Sequence, residues 1–199
     1  MAVLNLPTRR RTRHRLSRLS GVWLVISALL LSGAWNLPAQ TAASKEYQIK
    51  AAFVFNFAQF VDWPPDTFTN ASAPLCIGIL GDDPFGNILD TTINGEKIDG
   101  HPLVIRRFHR LEEVQDCQVL FISRSETRRM RQILDALKGR SVLTIGEVDG
   151  FCKDGGIIRF VTEQNKIRFR INPETAKNSS LTVSSKLLRL AQIVPPGGD

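Results

Sequence analysis

LCIGILGDDPFG, residues 75–86, is the stretch on which the fold turns. Leu75 to Leu80 is a short apolar run bounded by turn-forming residues, the pattern of a strand buried on both faces. Gly81-Asp82-Asp83-Pro84 then breaks the chain. Asp83 is placed to cap a helix whose first position is Pro84, where the missing N–H costs nothing. A buried strand running through a glycine turn into a helix is half of a βαβ unit.

The same alternation continues on the C-terminal side. Leu103–Phe108 reads as a strand, 111–116 as at most a short helix, and Val119–Ile122 as another buried strand. Residues 126–138 carry Met130, Ile133, Leu134 and Leu137 at helical spacing and end at Gly139. Val142–Ile145 is a fourth strand. Beyond Gly146 the period changes: Ile167, Phe169 and Ile171 alternate with Arg168 and Arg170, and Glu163-Gln164-Asn165 separates them from a run at 157–162. That is an antiparallel hairpin with one wet face. Ser184 caps a last helix over 185–193, stopped by Pro195-Pro196. On the other side, residues 46–61 (EYQIKAAFVFNFAQFV) form a helix apolar on nearly every side, which demands burial or a covering partner. Asp62-Trp63-Pro64-Pro65 stops it. The expected fold is α/β: a mostly parallel sheet with helices on both faces and a C-terminal antiparallel hairpin.

Residues 1–43 stand apart. Six arginines (Arg9, Arg10, Arg11, Arg13, Arg15, Arg18) and no acids precede an apolar stretch from Val22 to Leu31, and small residues follow through Ala43. Basic, apolar, small, in that order, is an export signal. The apolar run is shorter than the ~20 residues a retained anchor needs. A twin-arginine route is disfavoured by Thr12 and Arg13 after the arginine pair. The expected organisation is a signal peptide, 1–43, and one exported domain, 44–199. The leader also owns the charge. The whole chain carries +7, but residues 44–199 hold 20 basic against 19 acidic side chains. A near-neutral domain has no electrostatic footprint for nucleic acid, and that class is excluded.

No catalytic apparatus is legible. Asp82-Asp83 could hold a cation at a strand end, yet helix capping and solvated charge account for the pair. His101 and His109 sit apart, so no zinc ligand set forms. No Gly-x-Ser-x-Gly elbow is present, and Gly155-Gly156 lacks the Lys-Ser or Lys-Thr of a phosphate loop. Neither cofactor nor metal is expected, and Arg128, Arg129 and Arg131 read as a solvated helix face. Cys76 lies in the first strand and Cys117 just before the third. If those strands are neighbours, a bridge closing ~40 residues is worth roughly 4 kcal/mol in the chain-entropy model; two buried free thiols are the alternative. Cys152 has no evident partner.

Several segments taken together resemble the YfiR family of bacterial periplasmic regulators. They are Lys50-Ala51-Ala52-Phe53 through Asn56-Phe57-Ala58 to Trp63-Pro64, Gly81 to Gly86, Leu120 to Ser123, Gly155 to Ile158, and Ser184 to Ala191. The resemblance implies a regulator without enzymatic activity, an inhibitor that binds the periplasmic sensor domain of a membrane diguanylate cyclase and lowers cyclic-di-GMP synthesis. It also implies an outer-membrane lipoprotein partner able to sequester that inhibitor, and two disulfides. Cys76 and Cys117 match the first pair and Cys152 one half of the second; the position seven residues on holds Arg159.

The partner surface is expected in the segment 181–190, with Leu181, Val183 and Leu187 as apolar anchors beside the polar Asn178-Ser179-Ser180. The competing assignment of these side chains is core. A small-ligand crevice near Asp82, Asp83 and Phe85 is the alternative to a protein partner, and a homodimer joined through Cys152 is left open by the spare thiol. Mass spectrometry of the exported protein should show a chain beginning between Gln40 and Ser44. Non-reducing peptide mapping should recover a Cys76–Cys117 cross-link. An intact leader in the membrane pellet would overturn the export reading, and a Cys152 cross-link to either other cysteine would overturn the pairing.

Overall fold

The computed structural model describes residues 37–199 except Pro196, with side chains from Ser44 onward. The basic and apolar parts of the expected leader lie outside the described residues. The first described element, α1 (Leu37–Gln59), is longer than the sequence pattern indicates and runs back through the segment 40–44 where the mature chain is expected to begin. Residues 43–199 form one compact unit.

Ten strands and four further helices follow. In chain order they are β1 (Val61–Asp62), β2 (Leu75–Leu80), α2 (Asn87–Ile93), β3 (Lys97–Ile98), β4 (His101–Phe108), β5 (Val119–Ile122), α3 (Met130–Leu137), β6 (Leu143–Gly146), β7 (Ile158–Glu163), β8 (Lys166–Ile171), α4 (Pro173–Asn178), β9 (Thr182–Val183), α5 (Ser185–Leu188) and β10 (Gln192–Ile193). The main sheet has the order β10-β8-β7-β6-β5-β2-β4-β3. From β4 across β2, β5 and β6 to β7 all neighbours are parallel. The 158–171 hairpin extends the far side, joined through β7 and pairing β7 with β8 antiparallel, with Phe160 opposite Phe169. The parallel sheet and the antiparallel hairpin both match the expectation.

Every residue of β2, β5 and β6 is buried, because layers cover both faces. Alternation divides the core. Ile77, Ile79, Val119, Phe121, Leu143 and Ile145 face α1, whose Ala51, Val54, Phe57 and Ala58 are fully buried. Cys76, Leu80, Leu120 and Ile122 face Met130, Ile133, Leu134 and Leu137 of α3. The helix that reads as apolar all round therefore spends one face on the sheet. Phe53 and Phe57 meet Phe160 and Phe169 with ring centroids 4.9–6.2 Å apart.

Three sequence expectations fail at element ends. Asp83 does not cap a helix beginning at Pro84. Its Oδ1 accepts from the Phe85 and Gly86 amides at 2.8 and 3.2 Å, so the side chain closes a turn, and α2 starts only at Asn87. The helix expected over 126–138 is a 3-10 segment from Arg124 to Arg129 followed by α3. The last helix stops at Leu188, and Gln192–Ile193 turns extended to pair in parallel with β8. Ser184 does cap that helix, accepting from the Lys186 amide at 3.3 Å.

Phe151 marks the tightest packing. Its ring fills the space that a Cβ on Gly146 or Gly156 would occupy, so both positions are closed to any side chain. Gly156→Ala should cost about 1–3 kcal/mol by overpacking, a fall of roughly 2–10 °C in melting temperature for a domain this size. Combining it with Phe151→Leu should recover part of the loss. Calorimetry decides: additive losses in the double variant would mean the glycine is required for another reason.

Candidate functional site

Open parallel sheets hold ligands at the carboxyl ends of their strands, beside the point where the strand order reverses. Here the chain goes from β2 outward to β4 and then back across β2 to β5. The reversal lies between β2 and β5, where Gly81-Asp82 and Ser123-Arg124 emerge. This is the crevice that sequence reasoning assigns to a small ligand near Asp82, Asp83 and Phe85.

The protein fills that crevice with its own side chains. Phe85 is buried, edge-on to Tyr47 at 5.4 Å and to Phe121 at 4.9 Å between ring centroids. The Asp82 amide donates to Ser125 Oγ at 2.9 Å. Asp83 is ion-paired with Arg107, whose Nε lies 2.7 Å from Oδ2; Arg107 also bonds Asp90 and holds the Asp90 carboxyl below its usual range. Asp83 thus caps no helix and is neutralised in place by Arg107.

Next to the filled crevice sits a buried charge network that sequence reasoning misses. Lys50, on α1, is 1 % exposed. Its ammonium pairs with Glu147, just past β6, and with Glu46 Oε1 at 2.6 Å one turn back on the helix. Glu147 is itself buried and also accepts from Tyr47 Oη and pairs with Arg124 Nε, both at 3.0 Å. The Lys50 ammonium lies 4.6 Å from the Tyr47 ring centroid, within reach of a cation–π attraction. Burial, then the neighbouring Glu147 carboxylate, pushes the Tyr47 phenol above its ordinary range. Every charge has a partner. The network carries no nucleophile–base pair, and its chemistry is that of a clamp holding α1 on the sheet edge. The signal in the sequence is a lone lysine in an apolar helix with Glu46 four residues before it.

The cysteines are all buried and unjoined in the structure. The expected Cys76–Cys117 bridge is therefore not formed in it, although β2 and β5 are neighbours as the expectation requires. Cys117 Sγ donates to the Val119 and Cys76 carbonyls at 3.0 and 3.6 Å. The neighbouring Cys117 thiol lowers Cys76, while Cys76 and burial push Cys117 up. Cys152 is 1 % exposed and burial raises it to about 12. A dimer joined through Cys152 would need this region to open first. Arg159, where the resemblance places a second disulfide partner, is buried and paired with Asp149 and Asp199. Asp199 also accepts from the Gly150 and Cys152 amides at 2.7 and 3.1 Å, so an ionic tie spans the region.

The expected partner anchors are mostly core. Leu181 and Leu187 are buried and Val183 is half-buried, paired across from Val61 in the small β1–β9 ladder. Leu181 and Leu187 belong to the core cluster that includes α1, the competing assignment of these side chains. The exposed apolar residues of that region come slightly later, Leu190 at 74 % and Ile193 at 49 %. Leu190 borders a groove of about 650 Å³ with Phe53, Ile167 and Phe169. Of the helix arginines, Arg129 and Arg131 pair with Glu126 and Asp154. No group of three or more metal-ligating side chains converges among the described residues.

The sequence pattern of the YfiR/HmsC-like family matches residues 47–192, nearly all of the described domain. The chain belongs to that family. No curated protein sequence matches it. The YfiR/HmsC-like match begins at Tyr47 and ends at Gln192, so it takes in the Lys50–Glu147 clamp and the Leu190 groove alike. Membership points to a regulator of diguanylate cyclase signalling.

The clamp is testable by a double-mutant cycle. Lys50→Met leaves Glu147 only Arg124 and Tyr47, and Glu147→Gln leaves Lys50 only Glu46 as a counter-charge, each costing about 1.5–3 kcal/mol. Lys50→Met with Glu147→Gln should cost clearly less than the sum of the two. Denaturant melts measure all four proteins; strict additivity would show that the two groups do not depend on each other.

Proposed function

We propose that this protein is an exported regulator that binds the periplasmic sensor domain of a membrane diguanylate cyclase and holds it in its inactive state. The family match over 47–192 carries the reading. Regulation follows from differential affinity: a protein that binds the off state more tightly shifts the cyclase population toward it. The Leu190–Ile193 face supports this mode of action. It combines two exposed apolar side chains with a groove at the edge strand β10, and interface energy concentrates in such anchors. Among the described residues no helix is long and apolar enough to cross a membrane. An outer-membrane lipoprotein that relieves the inhibition would compete for the same face. Export also provides the oxidising compartment in which Cys76 and Cys117 can join.

Leu190→Glu with Ile193→Lys should remove the anchors without touching the core. Melting should stay within about 0.5 kcal/mol of the parent, as for other surface changes. Capture of the cyclase from native membranes should be lost, and cellular cyclic-di-GMP should rise to the level of a strain lacking the protein. If the parent protein neither captures a cyclase nor lowers cyclic-di-GMP, the functional reading fails. Should the double variant still repress, the function stands and the docking face lies elsewhere.

A further inference from the structure

A second cavity lies at the opposite ends of the strands from the filled crevice and at the opposite edge of the sheet from the Leu190 groove. It measures about 410 Å³, within the range of small-molecule sites. The segment leaving α1 forms one wall, with Asp62, Trp63 and Phe68. The β3–β4 turn forms the other, with Ile98, Asp99 and His101. Leu75, the first residue of β2, closes the floor, so the cavity sits at the amino-terminal edge of the parallel strands.

Its lining is apolar with acceptors on the rim. Trp63, Phe68, Leu75 and Ile98 supply the body, while Asp62 and Asp99 are exposed carboxylates with no ion-pair partner among the described residues. No lysine or arginine lines it. The His101 ring stacks on Phe68 with centroids 3.8 Å apart, and its Nδ1 lies 2.7 Å from the Ala73 carbonyl. With Nδ1–H committed to that carbonyl, the neutral ring has only an acceptor left at Nε2.

Trp63 Nε1, on a lining residue, is buried without a hydrogen-bond partner; so are Thr67 Oγ1, which is outside the lining, and Arg159 Nε elsewhere in the fold. Native structures rarely leave such groups unpaired without a functional or solvent explanation. Two unpaired carboxylates and an indole face describe one class of ligand. We infer that this cavity binds a small organic cation: a protonated amine on an apolar or aromatic body. The ammonium lies between Asp62 and Asp99, the body packs on Trp63 and Phe68, and the indole adds a cation–π attraction.

The inference does not depend on the cyclase reading, since the cavity and the Leu190 face occupy opposite edges of the sheet. NMR titration of ¹⁵N-labelled protein tests it by following the Trp63 indole N–H signal, assigned by its loss in Trp63→Phe. Phenethylammonium should shift that signal saturably, with a dissociation constant of about 1 mM or lower. Asp62→Asn with Asp99→Asn should weaken binding at least about tenfold. Asparagine tolerates the positive φ of 50° at Asp99, and the spectrum of the variant itself reports whether the fold is kept. The anion 3-phenylpropionate, with a similar body and the opposite charge, should leave the signal in place. No saturable shift by about 10 mM, equal binding of the anion, or unchanged binding by the double variant would each overturn the inference.

Discussion

An ammonium group with almost no access to water must meet its counter-charge wherever the chain puts it, and Lys50 meets that condition in only one arrangement of α1. The helix has apolar residues on nearly every face, so burial alone would tolerate several rotations about its axis. Pairing Lys50 with Glu147 removes that freedom, because Glu147 is fixed by the end of β6. Tyr47 and Glu46 lie one helical turn away on the same face and complete the contacts. A buried pair of this kind contributes little net stability over a well-packed apolar pair, yet breaking it costs several kcal/mol. Its effect here is on which packing of the helix is allowed.

Fixing α1 fixes much of what surrounds it. With Lys50 at the carboxyl edge of the strands, Val54 and Phe57 fall over the middle of the sheet, and Phe53 reaches the 158–171 hairpin. The chain then leaves the helix at the amino-terminal edge, where Val61 and Asp62 pair with β9. That ladder holds Leu181 in the core and places Trp63 beside Leu75 and Ile98. The second layer obeys a different constraint. Gly78 has no room for a side chain, since a Cβ there would come within 2.7 Å of Cys117 Sγ and 2.8 Å of Phe108. The close approach that excludes a side chain also brings Cys76 and Cys117 together.

What could be read from the chain divides by range of interaction. Strands β2, β5 and β6 are short apolar runs whose burial depends only on being covered twice, and local sequence carries that. The parallel order and the hairpin follow from the alternation of elements. Element ends were less legible because they depend on where side chains are spent. Asp83 carries the sequence mark of a helix cap, but Arg107, distant in sequence, and two nearby amides claim its carboxylate. Gln192 and Ile193 continue a helical pattern, yet the open edge of β8 offers backbone partners and wins. The same limit hid the clamp: nothing near Lys50 in sequence announces Glu147. Leu181 and Leu187 looked available because their neighbours are polar, whereas their burial comes from α1 and β1.

The filled crevice changes where function can reside. Doubly wound sheets usually spend the carboxyl edge of their strands on a ligand, and this protein spends it on Phe85, Tyr47 and a closed set of ion pairs. Phe85 occupies the space a ligand would take there, and Arg107 claims the Asp83 carboxylate. Unspent groups lie elsewhere: exposed leucine and isoleucine at the β10 edge, and unpaired carboxylates with an orphaned indole N–H near β3 and β4. Protein contact suits the first, since apolar anchors gain energy only when a large surface covers them. The second is concave and small, which suits a molecule and not a domain. The two lie at opposite edges of one rigid sheet, and α1 borders both, through Phe53 at the groove and through its C-terminal exit at the cavity. Any coupling between them would therefore pass through the helix that Lys50 and Glu147 hold in place.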